Sequence, residues 1–137
     1  MKKYISIIAA IIMVISLTAC GSKKQISLPE PEEIKSIKMM RNSSKNNIYI
    51  TDEEEISKII NEISENSKGT NKESVNDQPT NIDEYIIIEF LHKSAEESSS
   101  IAYIYKNKGD TYIEQPYAGI WKLNKNTYED ISNRISE

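Results

Sequence analysis

The side chains whose type or spacing could do covalent or metal chemistry are few: one cysteine, Cys20, one histidine, His92, and, among 21 acidic residues, the carboxylates at Asp52 to Glu55, at Glu73, Asp77 and Asp83, and at Glu89 and Glu114. A nucleophilic hydrolase needs a base beside its nucleophile. The sole imidazole has only Ser94, Ser98, Ser99 and Ser100 near it, in a stretch that reads as a turn and lacks a Gly-x-Ser-x-Gly elbow. His92 reads as a strand-end residue with a satisfied ring. The acids of Asp52 to Glu55 point around a helix rather than at one ion, and they complement the positive end of a helix dipole. Asn71 to Asp83 lacks the alternating acids, central glycine and terminal glutamate of a calcium loop. The four glycines, Gly21, Gly69, Gly109 and Gly119, are too scattered to cradle a phosphate. One pairing survives: Glu89 and Glu114 would serve glycoside hydrolysis if they faced each other across a sheet. A sugar site also needs an aromatic-lined cleft, which a domain this small barely has room to form. The pattern predicts no enzyme, no cofactor and no metal.

Cys20 has a different context. Lys2 and Lys3 precede an apolar run from Ile5 to Ala19, interrupted only by Ser6, Ser16 and Thr18. A membrane span needs about 20 apolar residues, so this run is short for a span and suits a signal sequence. Leu17-Thr18-Ala19-Cys20 resembles the lipobox of bacterial lipoproteins. The resemblance implies cleavage before Cys20 and acylation of its sulfur and amine. Each buried methylene contributes about 0.8 kcal/mol, so two acyl chains hold a protein on a bilayer where one is marginal. The expected layout is a signal peptide over 1–19, a lipidated cysteine and flexible tether over 20–33, and an extracytoplasmic domain over 34–137, anchored to the outer face of the cell membrane. With no other cysteine, the exported part has no disulfide and no thiolate zinc site.

The whole chain of 137 residues carries 17 basic and 21 acidic side chains, a net charge of -4, and loss of Lys2 and Lys3 makes the mature part more acidic. Nucleic acid is an unfavourable partner for such a surface. At 38% hydrophobic and 28% charged, the chain suits one modest globular domain.

That domain is expected to be α+β. Ser36 to Arg41 and Asn47 to Thr51 alternate as strands of a hairpin about an Asn- and Ser-rich turn. Thr51-Asp52-Glu53-Glu54 matches a capping box, and Ile56, Ile59, Ile60 and Ile63 make one apolar helical stripe ending near Asn66. Ser67 to Asp83 is polar and aperiodic, and its composition favours a mobile loop over a binding element. Glu84 to His92 is a β-branched strand for the middle of a sheet, and Ser99 to Lys106 and Asp110 to Gln115 continue it about the Asn107-Lys108-Gly109 turn. Tyr117 to Leu123 is a further short strand, and Tyr128, Ile131 and Ile135 give a last helix, capped at Asn124 or Asn126, one buried side. The architecture expected is one antiparallel sheet of about five strands with two helices on one face, in the order ββαβββ(β)α.

One segment stands out. Tyr112-Ile-Glu114-Gln-Pro116-Tyr117-Ala-Gly119-Ile-Trp121-Lys122 holds the single tryptophan, two tyrosines, a proline that fixes one dihedral and a glycine that permits a positive one. At Glu114, Pro116, Tyr117, Gly119, Ile120, Trp121 and Lys122 it resembles a family of small uncharacterised lipoproteins of low-G+C Gram-positive bacteria, which implies a compact extracytoplasmic α+β domain. Tyr112, Tyr117, Trp121 and Lys122 are the candidate partner surface, although Trp121 also suits packing under the last helix. The function expected is a membrane-anchored binding or accessory module contacting an envelope protein or peptide. The alternatives are an immunity or inhibitor lipoprotein and a small hydrolase of envelope polymers using Glu89 and Glu114.

Overall fold

Two β-branched runs set the sheet: Ile34–Arg41 (β1) and Tyr85–His92 (β4) pair antiparallel along most of their length. The computed structural model describes residues 24–94 and 99–136. The expected signal peptide and Cys20 lie outside the described residues. Around the β1–β4 pair the sheet grows to seven antiparallel strands in the order β2-β1-β4-β5-β6-β7-β3. The added strands are Asn47–Ile50 (β2), Ser67–Gly69 (β3), Ser99–Asn107 (β5), Asp110–Gln115 (β6) and Gly119–Leu123 (β7). Five was therefore too few. The strand absent from the sequence expectation is β3, whose Ser-Lys-Gly has no apolar residue to announce it and which is held by backbone pairing to Leu123, Lys122 and Trp121 of β7.

The first helix, Glu53–Glu65 (α1), leaves β2 at one edge and delivers the chain to β3 at the other. Its 13 residues give about 20 Å of rise, enough to cross most of the sheet. Ile56, Ile59, Ile60 and Ile63 are all buried, as their spacing requires. The cap sits one residue later than the capping-box reading. Asp52, not Thr51, accepts from the Glu55 N–H at 2.9 Å. No box closes, because the Glu55 carboxylate turns outward to pair with Arg134 of the last helix, Lys125–Ile135 (α2). Asn124 caps α2, accepting from Asn126 N–H at 2.8 Å. Arg41 of β1 donates to the carbonyl and hydroxyl of Ser132, which fixes α2 to the same side of the sheet as α1.

Register places Ile37, Met39, Ile86, Ile88, Phe90, Ala102, Ile104, Ile113, Trp121 and Leu123 on the helix-covered face. Strict alternation would point Ile34 away from Ile37. A bulge between Ile34 and Ser36 restores it, and both isoleucines are buried.

Residues 24–33, which the expected layout assigns to a tether over 20–33, lie against the domain. This segment runs along the strand ends from β7 to β1. The Trp121 indole N–H donates to the Lys24 carbonyl at 2.8 Å, Gln115 donates to the Ser27 carbonyl at 2.8 Å, and Ile26 is only 6% exposed within the core. A one-turn helix at Pro31–Glu33 then leads into β1. Its polar composition and two prolines disguised this, because Ile26 is its one fully buried residue and Leu28 packs only partly buried against the core. Ile26→Ala is expected to lower unfolding free energy by about 2–4 kcal/mol in urea titration, where a residue of a free tether would change it negligibly.

Candidate functional site

The helix-free face of the sheet is where polar and aromatic side chains collect. Lys38, Met40, Tyr49, Tyr85, Ile87, Glu89, Ile101, Tyr103, Tyr105, Tyr112, Glu114 and Lys122 all project from it by register. The face has two halves. The half over β5 and β6 is strapped by residues 70–84. Thr70 donates to the Ile120 carbonyl, Ser74 donates to Glu114 at 2.7 Å, Lys72 lies 4.5 Å from the Tyr112 ring centroid, and Tyr85 donates to the Gln78 side-chain oxygen at 3.3 Å. Ser74 and Pro79 are the buried residues of the strap.

Glu114 is the polar centre of this strapped half. It is buried, and it accepts from Ser74 through one carboxylate oxygen and from the Tyr105 hydroxyl, at 3.0 Å, through the other. A carboxylate out of water is tolerable only with such partners. Burial, and then the Glu114 charge, hold the Tyr105 phenol well above the ordinary tyrosine range. Burial and the neighbouring Tyr85, Asp77 and Glu114 push Tyr103 in the same direction.

The other half, over β2, β1, β4 and the start of β5, is open. Tyr49 is 56% exposed on the edge strand, Met40 and Ile87 are partly exposed on β1 and β4, and Ile101 is exposed on β5, three strands from Tyr49. Lys38 and Glu89 are cross-strand partners, and the Lys38 ammonium stands 5.9 Å from the Tyr49 ring centroid.

The four residues of the expected partner surface are not brought together. Trp121 is 2% exposed on the opposite face, within the core it shares with Ile131, and so cannot touch a partner. Tyr112 and Lys122 are cross-strand neighbours on the helix-free face, and Lys122 pairs with Asp110 at 3.2 Å. Tyr117 stands apart, 68% exposed, at the β6–β7 turn. In that turn Ala118 N–H donates to the Gln115 carbonyl, Pro116 is second and Tyr117, third, takes φ 59°. This is type II geometry, in which glycine usually fills the third place. Gly119 serves a different need. A Cβ there would lie 3.1 Å from Cη2 of Trp121, so the residue is small to let the indole in.

Glu89 and Glu114 share a face without meeting. They oppose Ile101 and Tyr103 of β5 from its two sides, which separates them by two strand spacings, about 10 Å, and a further step along the strands. His92 ends β4 as expected, its Nε2 2.9 Å from the Ser100 hydroxyl. Asp52 to Glu55 form the first turn of α1 and its cap, where Lys93 pairs with Glu53 at 3.6 Å. Among the described residues no group of three or more His, Cys, Asp and Glu side chains is placed to hold a metal ion, and no helix is long and apolar enough to cross a membrane.

Residues 22–122 match the DUF5301 family, whose description reads "Domain of unknown function (DUF5300)", and the chain belongs to that family. It is similar to a solved structure described as the NMR structure of the protein from Ruminococcus gnavus, at 30% identity and a TM-score of 0.63, over 79% of this chain and 99% of that one. No curated protein matches it.

Two measurements probe this site. Because the folded pKa of Tyr105 lies above its unfolded value, its contribution is intact below about pH 10 and is lost as pH rises beyond it. Stability is therefore expected to fall with pH in the alkaline range, and Tyr105→Phe should flatten that fall in urea titrations at successive pH values. Gly119→Ala should cost about 1–3 kcal/mol and shift Trp121 fluorescence, since the indole must move.

Proposed function

We propose that the chain is a lipid-anchored protein of the bacterial cell envelope, attached through Cys20 to the outer face of the cell membrane, whose domain acts as a non-enzymatic binding module for an envelope protein or peptide. The anchor is supported by the order of two lysines, a short apolar run, Leu17-Thr18-Ala19 and Cys20. The observation that carries the binding role is the open half of the helix-free face. Tyr49 presents a large ring at low entropic cost, Met40, Ile87 and Ile101 form an apolar floor, and Lys38 and Glu89 supply one charge of each sign. The edge strand beside it, β2, has only four residues, so side chains rather than added strand pairing would dominate the contact.

Among the described residues, seven strands share one sheet and two helices pack on one of its faces, and Ser74 of the strap and Tyr105 of the sheet engage both oxygens of Glu114. Glu114 is thereby assigned to holding residues 70–84 in place, and Glu89 to the contact surface.

Expression in a Gram-positive host tests both parts. The intact protein should carry the mass of a diacylglyceryl group on Cys20, and Cys20→Ser should move it from the membrane to the soluble fraction. A photo-crosslinker at Tyr49 should capture one envelope component, with Lys38→Glu reducing capture about tenfold. An unmodified mass would refute the anchor, and capture indifferent to Lys38 would refute the contact surface.

A further inference from the structure

Lys24 is fixed to the domain at two atoms. Its carbonyl accepts from Trp121, and its ammonium donates to the Ala118 carbonyl at 2.9 Å. Three residues separate it from Cys20. Four residue steps span at most about 14 Å. We propose that the corner built from Lys24, the Gln115–Gly119 turn and residues 72–77 seats on the anionic headgroups of the bilayer, an inference that rests on the lipidation of Cys20 proposed above. A tether running from 20 to 33 would leave the domain free to turn. The docked segment removes that freedom and chooses which corner faces the lipid.

The corner has the side chains such a surface requires. Tyr117 is 68% exposed and Val75 is 65% exposed. The two belong to one patch, because Ser74 is bonded to Glu114 and Asp77 accepts from the Tyr117 hydroxyl at 2.8 Å. Tyrosine, with an apolar ring and a polar tip, favours the membrane–water interface. Tyr117 also holds a positive φ that glycine would adopt without strain, so its side chain is kept at a conformational cost. A depression of about 270 Å³ lies beside it, lined by Lys24, Thr70, Lys72, Glu73 and Ile120 among others. Lys24 and Lys72, whose ammonium groups rest on the Ala118 carbonyl and against the Tyr112 ring, bring two positive charges to this corner, each worth about 1 kcal/mol near an anionic surface. Glu73 and Asp77 are also at this corner, the latter engaged by Tyr117. Glu30, Glu32, Glu33, Glu53 and Glu54 gather where β1 and α1 begin, across the sheet from β7, so seating on the β7 corner keeps most of this end's acids away from the lipid charge.

The test uses the mature lipidated protein in phosphatidylcholine–phosphatidylglycerol vesicles with brominated acyl chains. Acylation occupies the one native thiol, so Val75→Cys, Tyr117→Cys and Lys108→Cys can each be labelled with bimane. Lys108 lies in the β5–β6 turn at the far end of the strands. Labels at 75 and 117 should be quenched at least about twofold more than the label at 108, as expected for side chains at the headgroup boundary. A lipidated mass with all three labels quenched alike, or with 108 quenched most, overturns the orientation and leaves the anchor standing. A mass lacking the lipid overturns the anchor, and the orientation with it.

Discussion

The hydrogen bond from the Trp121 indole to the Lys24 carbonyl is the contact on which the arrangement of this molecule turns. A buried indole N–H without an acceptor costs about 1–3 kcal/mol. Among the described residues the acceptor comes from a segment almost a hundred positions earlier in the chain. Gly119 makes room for the ring, Gly69 of β3 pairs with the Trp121 backbone at the sheet edge, and Ile26 enters the core two residues after Lys24. Loss of this contact would free the leading segment, open the end of the core and uncouple the domain from whatever precedes it.

A second constraint divides the sheet. One face is filled by aliphatic side chains from both helices, and the other carries five tyrosines, which combine an apolar ring with a hydroxyl and so tolerate partial exposure. Among the described residues no helix covers that face, and the polar strap does so in part, pinned at Glu114 by hydroxyls of Ser74 and Tyr105. The strap closes one half and leaves the other open. The proposed binding role rests on that asymmetry. The match to a domain of unknown function and the likeness to the Ruminococcus gnavus structure place the fold within a family.

How much of this was legible in the sequence depended on whether a residue's fate was decided locally. The isoleucines of α1, the strand Tyr85–His92 and the turn at Lys108-Gly109, where both residues take positive φ, were all readable from spacing or turn chemistry. Three features were not. β3 exists only because β7 offers a free edge. The strap is held by side-chain pairs forty residues apart, such as Ser74–Glu114 and Asp77–Tyr117, which leave no periodic trace. The docking of residues 24–33 rests on Ile26, on Leu28 packed partly buried beside the core, and on hydrogen bonds to the Lys24 and Ser27 carbonyls, against a background of charge and proline. The partner surface was misplaced for a related reason. Trp121 and Tyr117 are four residues apart in a segment with a tight turn, and strand alternation sends one ring inward while the turn throws the other out.

The central claim is that residues 24–33 are part of the domain and not a leash. The direct measurement is the heteronuclear NOE of backbone amides in the ¹⁵N-labelled mature protein, together with hydrogen exchange at the Trp121 indole. Amides from Lys24 to Ile34 should show values equal to those of β1 and β4, and the indole proton should exchange as slowly as the amides of the core strands. Low values persisting to Glu33, with an indole proton that exchanges freely, would contradict the account.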